Sequence, residues 1–409
     1  MKVYAVNRSD TIGGAARAAY RIHQAVRQSG IDSHMLVDKT ASGDASVHSP
    51  SGRLARAGAI FRPFVGGLFT RALSSGDFLH SSALIPSGWS KYINSSAADL
   101  VHLHWVNEEM LSVGDVRRID KPLVWTLHDM WGFCGAEHYT TGFRWRDGYR
   151  PNNRPECEHG FDLNRWVWQK KIRSWREPMH IVAPSHWLAD CARQSVLMGD
   201  WPISVVPNPL DTEVWVPVEK RLARGLLTLP QDVPLLLFGA IGGFQNQLKG
   251  AALLREALRC LHGQIQDLHL VVFGQQTPHA QEDLGFPVHF LGHLFDDLSL
   301  RVLYSAADVL VIPSRLEAFG QTASEANACG TPAIGFDNSG VTEIITHEHN
   351  GYLAKAFEPE DLAAGIVWLL GDDQRRLMLG SAARKDAVRR FSYPVVARQY
   401  LDVYDQAIS

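Results

Sequence analysis

Short runs that are apolar at nearly every position recur along the chain, each followed by a stretch of amphipathic, helical composition. "KVYAV" precedes such a stretch from Ala15 to Gln28, and "SHMLV" comes next. "DLVHLHW", "PLVWTLH" and "HIVAPS" follow, the last leading into a helix from His186. A strand apolar on both faces has to be covered on both, as in a parallel sheet flanked by helices. Residues 205–217, "VVPNPLDTEVWVP", break the pattern with prolines and no periodicity, and read as a linker. The alternation then restarts with "PLLLFGA", "LHLVVFG", "VHFLG", "DVLVIPS" and "PAIGF", and the chain turns helical from Pro359 onward. At 409 residues it exceeds what one core supports. The expected architecture is α/β, with two doubly wound domains over residues 1–205 and 206–391 joined by a hinge. Ligands are expected at the carboxyl ends of the strands, in a cleft between the domains.

Composition narrows the class. With 45% apolar and 20% charged residues the chain is neither disordered nor fibrous. No apolar run reaches the roughly 18 residues of a membrane span; the best candidate, "AGAIFRPFVGGLF", is broken by Arg62 and Pro63. The start turns polar after six residues, unlike a signal peptide, and five cysteines, an odd number, suit a reducing compartment, so a cytoplasmic location is expected. Residues 1–205 hold 24 Lys and Arg against 19 Asp and Glu, leaving 16 against 24 for the rest. That asymmetry fits an anionic partner for the first half, or plain drift in surface charge.

The stretch "LEAFGQTASEANACGTP" follows the strand "DVLVIPS" and sets Glu317 in a loop and Glu325 in the first turns of a helix that starts near Gln321. The N–H groups of such a helix start suit phosphate oxygens, and a carboxylate nearby can accept hydrogen bonds from a ribose diol. Taken alone, the pair reads as a helix-dipole partner and a solvated acid. In "LLLFGAIGGFQNQLKG" a strand runs through a glycine-rich loop to Lys249-Gly250 at a helix start, which places a point charge for a diphosphate. The spacing matches neither a Walker loop nor G-x-G-x-x-G. "NRSDTIGGAARAAY" sets Gly13 and Gly14 between a strand and a helix, as a ligand approach or a tight turn. "TLHDMW" ends a strand at His128, an imidazole for a substrate hydroxyl or a structural histidine.

Together these motifs resemble family 4 of the retaining, nucleotide-sugar-dependent glycosyltransferases, which have the GT-B fold. The resemblance covers essentially the whole chain; "GGAARAAYRIHQAVRQSG", "LVHLHW", "VWTLHDMWGFCG" and "VVPNPLDTEVW" resemble more narrowly the colanic-acid and exopolysaccharide type. It implies an acceptor-side first domain, a nucleotide-sugar-binding second domain, and a last helix, about 392–409, that packs back on the first. Glu325 would bind the donor ribose, and Glu317 would lie by the donor sugar. Gly320, Gln321 and Thr322 would serve the diphosphate and sugar, Lys249 with Gly13 and Gly14 the diphosphate, and His128 the reacting sugar and acceptor. Relatives often carry an arginine before the lysine where this chain reads "GGFQNQLKG"; Arg17 and Arg315 are the candidates for that second cation. No cofactor and no metal are implied, and the acceptor would be a polysaccharide or a polyprenyl-diphosphate-linked glycan. A sugar-nucleotide epimerase or hydrolase and a non-catalytic glycan-binding protein are the alternatives.

The insert from Cys134 to Trp175 interleaves Arg144, Arg146, Arg150, Arg154, Lys170, Lys171 and Arg173 with Trp145, Trp166, Trp168 and Trp175. It is expected to face an anionic lipid-linked acceptor or the inner membrane surface rather than nucleic acid. A zinc site on Cys134, Cys157, His138 and His159 is conceivable but lacks the usual C-x2–4-C spacing.

Overall fold

The computed structural model describes residues 1–73, 79–239, 247–276 and 283–409. The chain divides into two compact units, Met1–Pro209 with Val396–Ser409, and Leu210–Val395. The first break falls inside the proline-rich stretch read as a linker.

The first unit holds strands β1 (Lys2–Ser9), β2 (Asp32–Lys39), β3 (Val47–His48), β4 (Leu100–Leu103), β5 (Leu123–Thr126), β6 (His180–Ala183) and β7 (Ile203–Val205). They form one parallel sheet in the order β3-β2-β1-β4-β5-β6-β7. One face packs Val3, Leu100, Val124 and Val182 against Val396, Tyr400 and Tyr404 of the helix Tyr393–Ile408. The other packs Ala5, Met35 and Val37 against Ala19 of the helix Gly14–Gln28. Because both faces are covered, β4 is buried at every position, which is why its sequence shows no alternation.

The second unit holds β8 (Leu235–Gly239), β9 (His269–Phe273), β10 (Val288–Phe290), β11 (Val309–Ile312), β12 (Ala333–Phe336) and β13 (Gly351–Ala354), parallel in the order β10-β9-β8-β11-β12-β13. Alternate residues of one strand serve opposite layers. Leu235, Leu237, Leu310 and Ile312 meet Tyr304, Phe319 and Ala326 on one face. Leu236, Phe238, Val309 and Val311 meet Leu254, Ala257 and Ile366 on the other. Both sheets are doubly wound, and the strand order reverses between β1 and β4 and between β8 and β11, so ligand positions are expected at the carboxyl ends of those strands.

The longest helix is absent from the sequence reading: Arg53–Leu73 forms a single helix that includes Pro63. Ala59, Gly66 and Thr70 turn inward. Gly66 is required there because a Cβ would come within 2.4 Å of the Glu109 side chain. Among the described residues no helix is long and apolar enough to cross a membrane.

Candidate functional site

In the second unit the site is built on the ends of β8 and β11. The glycines read from "GAIGG" lie outside the described residues, apart from Gly239 at the end of β8. Beyond them Gln247–Lys249 makes one 3-10 turn, and Gly250 takes φ 67° to start the helix Ala251–Cys260. A Cβ on Gly250 would sit 1.8 Å from the Pro313 carbonyl oxygen, so only glycine lets this turn close on the end of β11. The Arg315 N–H donates to the Leu248 carbonyl at 2.8 Å, locking the two loops together.

That contact brings Lys249 to Glu317. Nζ lies 2.5 Å from Oε1, which also accepts from the Ser314 hydroxyl at 2.8 Å. The Glu317 backbone is fixed in turn by the Ser339 hydroxyl at 3.1 Å and the Gly340 N–H at 2.8 Å. Ser339 itself adopts φ 57°, a left-handed conformation that costs a non-glycine residue energy and is held here by its surroundings. Gly320, at φ 95°, turns the chain into the helix Gln321–Ala328, whose start has no side-chain cap and no acid in its first turn. Gln321 and Thr322 are half-buried there. Glu325, in the second turn, is 4% exposed and accepts from the buried Tyr304 hydroxyl at 2.9 Å. The Arg315 guanidinium stacks over Phe357, 5.3 Å from the ring centre.

In the first unit, β1 leads to Gly13 at φ 92°, which opens the helix Gly14–Gln28 without a side-chain cap or an acid in its first turn. The glycines border a cavity of about 330 Å³ that Arg8, Lys39, Trp105 and Glu108 also line. Arg8 is held there by Asp38 at 3.3 Å and Glu108 at 3.2 Å.

His128 lies two residues beyond β5 and is half-buried. Its Nε2 is 3.1 Å from Nδ1 of His104, whose ring centre lies 4.0 Å from that of His102 with the two planes tilted by 37°. His102 closes the row on the Tyr404 and Thr126 hydroxyls at 2.8 and 2.7 Å. Burial pushes His128 down to about 4 and His102 to about 3, and holds His104 well below its usual value. His128 is therefore a neutral imidazole at pH 7, able to exchange hydrogen bonds but not to act as a cation. The adjacent Asp129 takes the Trp105 indole at 2.9 Å, the Trp131 N–H at 2.9 Å and His138 Nδ1 at 2.5 Å. Burial raises that carboxyl, but His138 and these hydrogen bonds outweigh it and keep Asp129 below the usual range.

This row of histidines makes the first unit acid-sensitive. Burial likewise pushes His23 down to about 4. In the unfolded chain each of the four takes up its proton near pH 6.5; in the folded chain His23 and His128 do so only at about 4, His102 at about 3, and His104 well below its usual value. Their contribution is complete above about pH 6.5 and is lost as pH falls toward 4, at about 1.4 kcal/mol per unit for each group. Urea melts followed by tryptophan fluorescence, with ten of the twelve tryptophans between Trp89 and Trp201, are expected to show a lower midpoint at pH 5 than at pH 7.5. Equal midpoints would contradict the burial of the row.

Part of the insert is spent inside the protein. Lys171 is fully buried, donating to the carbonyls of Trp131, Gly135 and Cys134, and burial brings it down to about 7. Arg144 pairs with Asp162 at 2.6 Å, and Trp145 and Trp175 are buried. These residues frame the loop and do not face a partner. His138 gives its nitrogens to Asp129 and Ser81, Cys134 is buried and Cys157 exposed. Among the described residues no three His, Cys, Asp or Glu side chains gather at metal-binding distance.

The sequence reading brought Lys249, Glu317, Gly320, Gln321, Thr322 and Glu325 to one unit, and the structure places them at one end of one sheet. It missed Ser314, Ser339, Tyr304 and His104. Ser314 and His104 lay inside the quoted runs "DVLVIPS" and "DLVHLHW", whereas Tyr304 and Ser339 lay in none.

Two family models cover most of the chain: "Glycosyltransferase Family 4" matches residues 12–214 and "Glycosyl transferases group 1" residues 229–386. A D-inositol 3-phosphate glycosyltransferase of Xylanimonas cellulosilytica is 35% identical over 325 residues, which are 76% of this chain and 72% of that protein. An alpha-maltose-1-phosphate synthase of Mycolicibacterium smegmatis is 26% identical over 62% of this chain and 69% of its own length. Among solved structures, a sucrose-phosphate synthase from Thermosynechococcus elongatus superposes with TM-score 0.67 at 20% identity, covering 99% of this chain and 98% of that one. The Anabaena protein Alr3699/HepE, solved with UDP and glucose, gives 0.67 at 17% identity over 99% and 100%.

Proposed function

The chain belongs to the group 1, family 4 glycosyltransferases and has their two-domain GT-B fold, and from that premise we propose a retaining enzyme that moves a sugar from a nucleoside diphosphate to a polysaccharide or lipid-linked glycan at the cytoplasmic face of a membrane. The observation that carries the donor half is the pairing of Lys249 with Glu317 beside the uncapped start of the helix Gln321–Ala328. A cation and a helix N-terminus at one point suit a diphosphate. When the diphosphate takes Lys249, Glu317 is released to the hydroxyls of the donor sugar. Gly320, Gln321 and Thr322 supply polar groups, and the proximity of Arg315 to Leu248 favours it over Arg17 as the second cation. In the first unit, Gly13 and Gly14 offer N–H groups to phosphate oxygens, and His128 serves the reacting sugar and the acceptor hydroxyl. The departing diphosphate oxygen accepts the acceptor's proton on the face it leaves, so no protein nucleophile is required. The protein stabilises leaving-group charge and orients both substrates.

A small phosphorylated acceptor is the second reading. The name of the Xylanimonas relative and the Arg8 and Lys39 side chains on the first unit's cavity favour it. Incubation with a panel of nucleotide sugars, with lipid-linked glycans, inositol phosphate or no acceptor, separates these. Donor turnover that ignores acceptors would replace transfer by epimerisation or hydrolysis, and no turnover would leave a binding protein.

Glu325 is assigned to the ribose diol, with Tyr304 fixing one carboxylate oxygen. Glu325→Ala is expected to weaken nucleoside diphosphate binding by about 1.5–3 kcal/mol, the worth of hydrogen bonds to a charged group. Calorimetry on a folded variant that returned the wild-type affinity would remove Glu325 from the site.

A further inference from the structure

The helix Arg53–Leu73 carries an apolar stripe that no described residue of its own unit covers. Ile60 is 74% exposed, Phe61 64%, Phe64 63% and Leu68 53%. Their spacing puts them on one side of the helix, opposite the inward-facing Ala59, Gly66 and Thr70. Exposed arginines bound the stripe, Arg53 and Arg56 before it and Arg71 after it, and the helix contains no Asp or Glu. The surface continues onto the insert. Phe69 packs 6.2 Å from Trp166, which also meets the exposed Phe161 at 6.0 Å and carries Lys170 over its ring at 4.3 Å.

We infer that this helix, with the Trp166 edge of the insert, is the surface by which the chain docks on an anionic lipid bilayer. A helix with bulky apolar residues between arginines lies in the interface plane, its apolar side among the acyl chains and its guanidinium groups among headgroup phosphates. A tryptophan and a lysine at the rim suit the same headgroup level. A second copy of the chain fits less well. The apolar stripe runs only roughly 12 Å along one helix, whereas a stable dimer buries about 800 Å² on each partner. A two-fold axis across the stripe would also set Arg53 and Arg56 of one copy beside Arg71 of the other, with no acid on either helix to receive them. The inference does not rest on the transfer reaction, although it would give a lipid-linked acceptor a surface on which to be met.

Flotation of the full chain with vesicles tests it, using phosphatidylcholine alone or mixed with phosphatidylglycerol. Wild-type protein is expected to float with the mixed vesicles and to be released as salt rises. The triple variant Phe61→Ser/Phe64→Ser/Leu68→Ser is expected to lose at least about ten-fold in binding. Arg53→Gln, Arg56→Gln and Arg71→Gln are each expected to cost about five-fold on mixed vesicles and little on phosphatidylcholine. These side chains are exposed, and unchanged melting temperature and nucleotide affinity verify that each variant is folded. Full vesicle binding by the triple Ser variant overturns the inference, as does equal binding to both vesicle types. Light scattering that showed a wild-type dimer abolished by the same variant would overturn it in favour of a second copy. Vesicle binding without any sugar transfer supports this inference while failing the reaction proposed above.

Discussion

His128→Ala is expected to slow sugar transfer by roughly 100-fold or more and to leave nucleoside diphosphate affinity nearly unchanged. The assigned nucleotide groups Lys249, Glu317 and Glu325 all belong to the second unit, whereas His128 stands at the end of β5 in the first. Held near a pKa of about 4 by burial, it meets the acceptor as a neutral imidazole. Its effect on turnover should accordingly stay flat from pH 8 down to about 5, since protonation begins only as pH nears that value. A purely structural histidine would behave otherwise. Removing it would orphan Nδ1 of His104, lower the melting temperature, and impair binding and turnover together. Melting temperature, nucleotide affinity and transfer rate on one preparation separate the two outcomes. A folded His128→Ala enzyme with near-normal transfer would show that the acceptor-side assignment is wrong.

Lys249→Ala is expected to cost turnover on the order of 100-fold, with Lys249→Arg retaining most of it, because the diphosphate gains charge as the sugar departs. The ion pair with Glu317 adds a second consequence. The alanine variant leaves a half-buried carboxylate with Ser314 as its only side-chain partner among the described residues, so part of the loss would come from a displaced loop. Glu317→Gln in the Lys249→Ala background relieves that charge. If the double variant stays far slower than Glu317→Gln alone while the melting temperature recovers, the missing cation is the cause. Equal losses in the alanine and arginine variants would mean that the site needs the shape of lysine and not simply a positive charge.

The parallel sheets were legible in the sequence because a strand covered on both faces has no polar positions to spare. The runs "DLVHLHW" and "DVLVIPS" carry that requirement openly. Gly250 and Gly320 were legible as helix starts, but the reason for each is tertiary. A Cβ at Gly250 would strike the Pro313 carbonyl, 63 positions on, and one at Gly320 would press on Val341. Lys249 and Glu317 could each be singled out by motif, yet no local pattern says that they touch across 68 residues. Tyr304 carried no signal, since an aromatic on a helix facing a sheet reads as core until its hydroxyl is seen on Glu325. The insert was legible only in part. Its composition suggested a basic surface, but Lys171 lies under Trp131 and satisfies three carbonyls, and only the packed loop reveals that.

The sequence by itself determined the class of fold, and it singled out a linker over residues 205–217 and a set of candidate groups for a nucleoside diphosphate. Those depend on local rules: burial on two faces, glycine at a turn, a charge near a helix start. Which charges are spent inside the protein and which remain for a ligand was decided only by tertiary structure. A side chain's environment is set by residues distant in sequence, and burial made His128 neutral, turned Lys171 into a strut and left the stripe from Ile60 to Leu68 facing outward.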